Sequence, residues 1–142
     1  VIVNDLIPLI GGFGIGSIIG IIIKHLLDKS SELKIKLKVI NEEKYRTVLI
    51  YMSIILNPRN KDHFILNDTI LYSLTEEKDI REYSISKLNE YYYQSLLYAS
   101  DDVMRSFKTF LENPTRENYI TSAQKMRIDL WNNKTHLKIS EI

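Results

Sequence analysis

The chain contains no cysteine, which excludes a disulfide framework, a thiolate metal site and a cysteine nucleophile. It lacks a charge excess: 19 Lys and Arg face 18 Asp and Glu, for a net +1. A general nucleic-acid binder would need a basic surplus to collect phosphates, so none is expected here. Histidine is equally sparse. His25, His63 and His136 are the whole supply, and no two share a helical turn. A histidine metal pair is therefore unsupported, and neither a metal nor another cofactor is expected. Proline occurs three times and glycine five, with every glycine between positions 11 and 20. Beyond Ile23 only Pro58 and Pro114 interrupt the chain, which suits helices joined by short breaks. With 44% hydrophobic residues, the chain is not intrinsically disordered. Its 142 residues allow one compact domain.

What is present is a long apolar run. From Leu6 to Ile23 stand 18 residues without a charge, a helix of about 27 Å against a hydrocarbon thickness of ~30 Å. Its Ile, Leu and Phe13 contribute roughly −3 to −7 kcal/mol toward insertion, partly offset by glycine and Pro8. Pro8 falls in the first turn, where its missing N–H costs nothing, and Asn4 or Asp5 caps before it. Competing readings are a signal peptide, a buried helix of a soluble core, and a nucleotide loop at Gly14-x-Gly16-x-x-x-Gly20. The basic residues follow the run rather than precede it, which disfavours the first. No polar group or βα repeat accompanies the third. A transmembrane helix over residues 1–23 is the favoured reading. Lys24, Lys29, Lys34, Lys36 and Lys38 against Asp28 and Glu32 put the C-terminal side of a single-pass membrane protein in the cytoplasm.

A lone anchor gains nothing from glycine. Gly12, Gly16 and Gly20 are spaced four apart and share one helix face, where small residues let backbones approach closely. Gly14 lies with Ser17 on a second sector. Two small-residue sectors allow packing against two neighbours, as a ring requires. In such a cyclic homo-oligomer Phe13 and Ser17 line the lumen and Lys24 sits at its mouth, with Ile15, Ile18, Ile19 and Ile22 toward lipid. A plain dimer remains open.

The pattern continues as helix from Lys24 to Leu56. Leu26, Leu33, Leu37 and Ile40, then Val48, Tyr51, Met52 and Ile55, recur at 3–4 spacing. Strict alternation from Leu33 to Val39 is a competing strand signal, but no turn residues bound it. Residues 24–56 are read as a juxtamembrane stalk and 57–142 as a cytoplasmic helical domain. Asn57-Pro58 ends the stalk. An irregular stretch follows to Leu74, with a short helical or extended piece near Phe64–Leu71. A helix capped by Thr75 runs to about Ala99. Ser100 caps a third helix, Asn113-Pro114 breaks it, and a fourth spans about Arg116–Trp131. The fold class is all-α: a single transmembrane helix continuing into a helical bundle.

Candidate chemistry is thin. His25 beside Lys24 reads as interfacial rather than catalytic. Arg59 with His63, and Arg127 with His136, suggest the Arg-plus-His motif of HEPN-type ribonucleases. The gap of three residues is too short for it and the gap of eight too long. No catalytic residue and no enzymatic activity are expected. Tyr91-Tyr92-Tyr93 could stack on bases, but lacks interleaved basic residues and reads as core and interface packing. Arg127 and Asp129 cannot face each other at i,i+2 and should pair with other helices.

Leu97-Tyr98-Ala99-Ser100-Asp101-Asp102-Val103, the later Phe110, and Lys125-Met126-Arg127-Ile128-Asp129-Leu130 resemble small bacterial membrane proteins with one N-terminal span and a helical domain. Among these the layout is similar to the accessory membrane proteins of type VI, RNA-targeting CRISPR systems. That resemblance implies an oligomeric pore, a role in antiviral defence, and an RNA-guided effector or other defence protein as partner. It also implies a divergent HEPN domain, from whose motif this sequence departs. Three functions are carried forward. The first is a homo-oligomer that forms or gates a membrane pore. The second is a non-conducting anchor whose cytoplasmic helices bind a protein partner, and the third, disfavoured by the motif spacing, is a membrane-tethered ribonuclease.

Overall fold

The computed structural model describes residues 15–131, and side chains from position 20 onward. Leu6 to Gly14, the first half of the apolar run, lies outside the described residues, as do Gly12, Phe13 and His136. The described part is helical: α1 (Ile15–Leu56), a 3₁₀ turn (Pro58–His63), α2 (Thr69–Ser73), α3 (Glu77–Ser95), α4 (Asp101–Glu112) and α5 (Arg116–Trp131). No strand occurs among the described residues, so the alternation over Leu33–Val39 is helical. The chain divides into two compact units, residues 1–39 and 40–142. The second begins inside the segment expected as stalk.

The second unit is a bundle built on the C-terminal turns of α1. Tyr45, Val48, Tyr51, Met52, Ile54 and Ile55 are all buried there, meeting Leu71 from α2, Ile80 and Leu88 from α3, Phe107 and Phe110 from α4, and Met126 from α5. The spacing of Val48, Tyr51, Met52 and Ile55 is that of one helix face. Ile54 lies off that face and is buried as well, so α1 is covered on more than one side. The Arg81 guanidinium on α3 donates to the Ile55 carbonyl at 3.1 Å, satisfying one of the last acceptors of α1.

Each break has a local cause. Asn57 accepts from the Arg59 N–H at 3.2 Å and, with buried Pro58, turns the chain into the 3₁₀ piece. Asp68 caps α2 by accepting from the Leu71 N–H at 3.1 Å. Ser100 caps α4 through the Val103 N–H at 3.3 Å, as expected. Thr115 caps α5 through the Asn118 N–H at 3.2 Å. Thr75 does not cap α3. The cap position is Glu76, whose side chain makes no capping bond, and Glu77 and Asp79 complement the helix dipole instead. The regular part of α3 also stops at Ser95, before the expected Ala99, and turns follow.

Candidate functional site

The first unit has a single described element, the N-terminal part of α1. Lys24 to Ile40 are exposed without exception. Among them Leu26 is 60% exposed, Leu33 53%, Leu37 58% and Ile40 48%. Leu26, Leu33 and Leu37 share one face of this helix, and no other described element of the first unit covers it. Among the described residues, no helix is long and apolar enough to cross a membrane. The expected span is described only from Ile15 onward, so its first half is outside that statement.

Of the expected helix-packing glycines, Gly16 lies in α1 and Gly12 and Gly14 lie outside the described residues. Gly20 is exposed, and a Cβ added there would meet nothing within 4 Å. The fold of one chain therefore has no steric need for glycine at this position. Of the expected lumen residues, Ser17 falls within α1 and Lys24 is exposed on it, whereas Phe13 lies outside the described residues.

The second unit carries a phenol–carboxylate cluster that spacing did not reveal. Asp68 accepts from the hydroxyl of Tyr51, and from Tyr83 at 2.7 and 2.9 Å, while capping α2. Burial of the Asp68 carboxyl favours its neutral form. The bonds from Tyr51, Tyr83 and the Leu71 N–H outweigh that and hold it below the ordinary carboxylate range. Burial, then the bond to Asp68, pushes the Tyr51 phenol far up. Tyr51 also lies against the Tyr91 ring at 5.9 Å. A cleft of about 310 Å³ opens beside the cluster, with Arg46, Glu43 and Asn67 on its walls. Asp68 thereby ties α1, α2 and α3 together as a clamp between helices.

A second phenol–carboxylate contact joins α1 to α5: the Tyr45 hydroxyl donates to Asp129. The expectation that Asp129 pairs with another helix is met, by a tyrosine. Arg127 is exposed beside it. Tyr92 packs edge-on against Phe107 at 5.3 Å and Tyr91 against Tyr51, whereas Tyr93 is 68% exposed. Core packing thus accounts for two of the three consecutive tyrosines.

A larger groove, about 720 Å³, runs where the end of α1, the 3₁₀ turn and the first turns of α5 meet. Leu56, Phe64 and Ile120 give it an apolar floor, and His63, Asn60 and Arg116 a polar edge. Arg59 takes no part in it. Its guanidinium pairs with Glu77 at 3.4 Å across an exposed surface. His63 and Arg116 line the groove together instead, a grouping with no signal in local spacing. No group of three or more metal-ligating side chains occurs among the described residues.

Comparison of the chain with protein-family models, curated proteins and solved structures gives no match.

Proposed function

We propose that this chain is a single-pass anchored homo-oligomer whose clustered N-terminal helices form or gate a pore in the bacterial inner membrane, as an accessory of antiviral defence. The observation that carries the reading is the bare arm of α1. Its apolar side chains between Ile21 and Ile40 are half-exposed or more, apart from the partly buried Ile22, and Gly20 has open space around it. A surface of this kind is the mark of one that lipid or other copies cover. The uncharged run before Lys24 supplies the lipid-facing part, and the lysines after it set the orientation.

A second reading is supported by the groove floored by Leu56, Phe64 and Ile120. In it the oligomer does not conduct, and the bundle presents this groove to a protein partner, such as an RNA-guided effector. Reconstitution of the full chain into dye-loaded vesicles separates the two. Leakage that depends on the chain supports the pore. A floated oligomer that retains the dye supports the scaffold. A chain that neither floats with vesicles nor associates overturns both.

A further inference from the structure

The charges on the arm of α1 are not scattered evenly around it. Ile19, Ile23, Leu26, Ser30, Leu33, Leu37 and Ile40 follow one another at alternating steps of four and three. That is the a/d row of a heptad repeat, with Ile23, Ser30 and Leu37 at a and Ile19, Leu26, Leu33 and Ile40 at d. Every charged residue between Gly16 and Ile40 falls off this row: Lys24, Asp28, Lys29, Glu32, Lys34, Lys36 and Lys38. Carried backward the row meets Gly16 and Gly12 but leaves Gly20 beside it at e, so the stalk row and the glycine face overlap only in part. At Lys44 the row takes a charge, and from Tyr45 onward α1 is buried in its own bundle. The heptad therefore ends where the chain begins to cover α1 itself.

We infer that the exposed a/d row of residues 23–40 pairs, parallel and in register, with the same row of a second copy of this chain. This deepens the oligomer reading above and rests on it. A common anchor holds all copies in the same direction, which selects the parallel arrangement. Ile23, Leu26, Leu33, Leu37 and Ile40 are five side chains about half exposed, well short of the ~20–30 residues a side of a standard stable interface. The seam is thus too small to hold two free copies and sufficient once the anchor concentrates them. The flanks oppose it further. Lys29 at g faces Lys34 at e of the second copy, a like-charge contact that salt or anionic headgroups relieve. Pairing is accordingly sensitive to whatever neutralises Lys29 and Lys34.

The absence of cysteine makes the test clean. Single variants Leu26→Cys, Leu33→Cys, Leu37→Cys, Ile35→Cys and Val39→Cys, with Ser17→Cys, which adds no bulk, as the anchor reporter, are oxidised in native membranes. The first three should give several-fold more disulfide-linked dimer than Ile35→Cys and Val39→Cys, whose positions face outward. Adding Lys34→Glu to Leu33→Cys should raise the dimer fraction at low salt. Equal yields at 33 and 35, or a fall with Lys34→Glu, overturn the register. Dimer at Ser17→Cys with none from 26 to 37 overturns the stalk seam and leaves the anchored oligomer intact. No dimer at any position, Ser17→Cys included, overturns the oligomer reading along with it.

Discussion

The Tyr51 hydroxyl on α1 donates to the Asp68 carboxylate that also caps α2, so one side chain holds two elements in place. Replacing Asp68 by Asn removes the charge that two phenols and a backbone N–H address. The loss should be about 1–3 kcal/mol of bundle stability, read by chemical denaturation.

The same carboxylate sets an acid limit. Its folded-state value lies below the ordinary 3.8. Its contribution is therefore complete above that value and disappears as pH falls through the folded one. Wild-type stability should drop on acidification below about pH 4, and Asp68→Asn should flatten that part of the profile. An unchanged acid slope in the variant would remove Asp68 as its source.

Two phenols set an alkaline limit. Burial, followed by the bonds to Asp129 and Asp68, raises Tyr45 and Tyr51 well above their ordinary 10.0. The folded state then keeps protons that the unfolded chain releases. Stability is complete below pH 10.0 and falls as pH rises beyond it. Tyr45→Phe keeps the ring against Tyr98, should cost about 1 kcal/mol at neutral pH, and should lessen the alkaline loss. Phenolate absorbance and denaturation midpoints between neutral and high pH check both statements.

Ser84 and Ser122 are both fully buried, and they predict opposite results. The Ser84 hydroxyl has no hydrogen-bond partner, so Ser84→Ala should be neutral or stabilising by up to about 1 kcal/mol. The Ser122 hydroxyl on α5 donates to the Ser106 carbonyl on α4 at 3.2 Å, so Ser122→Ala should lose about 1 kcal/mol. A thermal melt of each variant decides the pair.

Much of the bundle was legible because it is local. The spacing of Val48, Tyr51, Met52 and Ile55, the Ser100 cap and the Asn113-Pro114 break each act within a few residues, and each stands as read. Thr75 misled because a good capping residue precedes two acids that do the same electrostatic work one position later. The Asp68 cluster was not legible. Its partners Tyr51 and Tyr83 are 17 and 15 residues away, on different helices. His63 and Arg116 line one groove for the same reason, since no periodicity encodes which surfaces of α5 and the 3₁₀ turn border it.

Gly20 offers a substitution that separates folding from association. A Cβ there meets nothing within 4 Å, so Gly20→Leu should leave the denaturation midpoint of the bundle unchanged and preserve insertion. It should weaken association and leakage, as should Gly16→Leu, because both enlarge the face on which backbones must approach. Ile18→Leu, on the expected lipid face, should change neither. Ser17→Lys should alter the ion preference of any leak by placing charge in the lumen.

The central claim is that the bare arm of α1 holds several copies together in a bilayer. The most direct test is the mass of the full chain, extracted from floated vesicles into mild detergent and measured by light scattering with the detergent contribution removed. The account predicts a protein mass that is a multiple of 16.7 kDa for the wild type and a smaller one for Gly20→Leu. A wild-type particle at 16.7 kDa, or a chain that never floats with the vesicles, would contradict it.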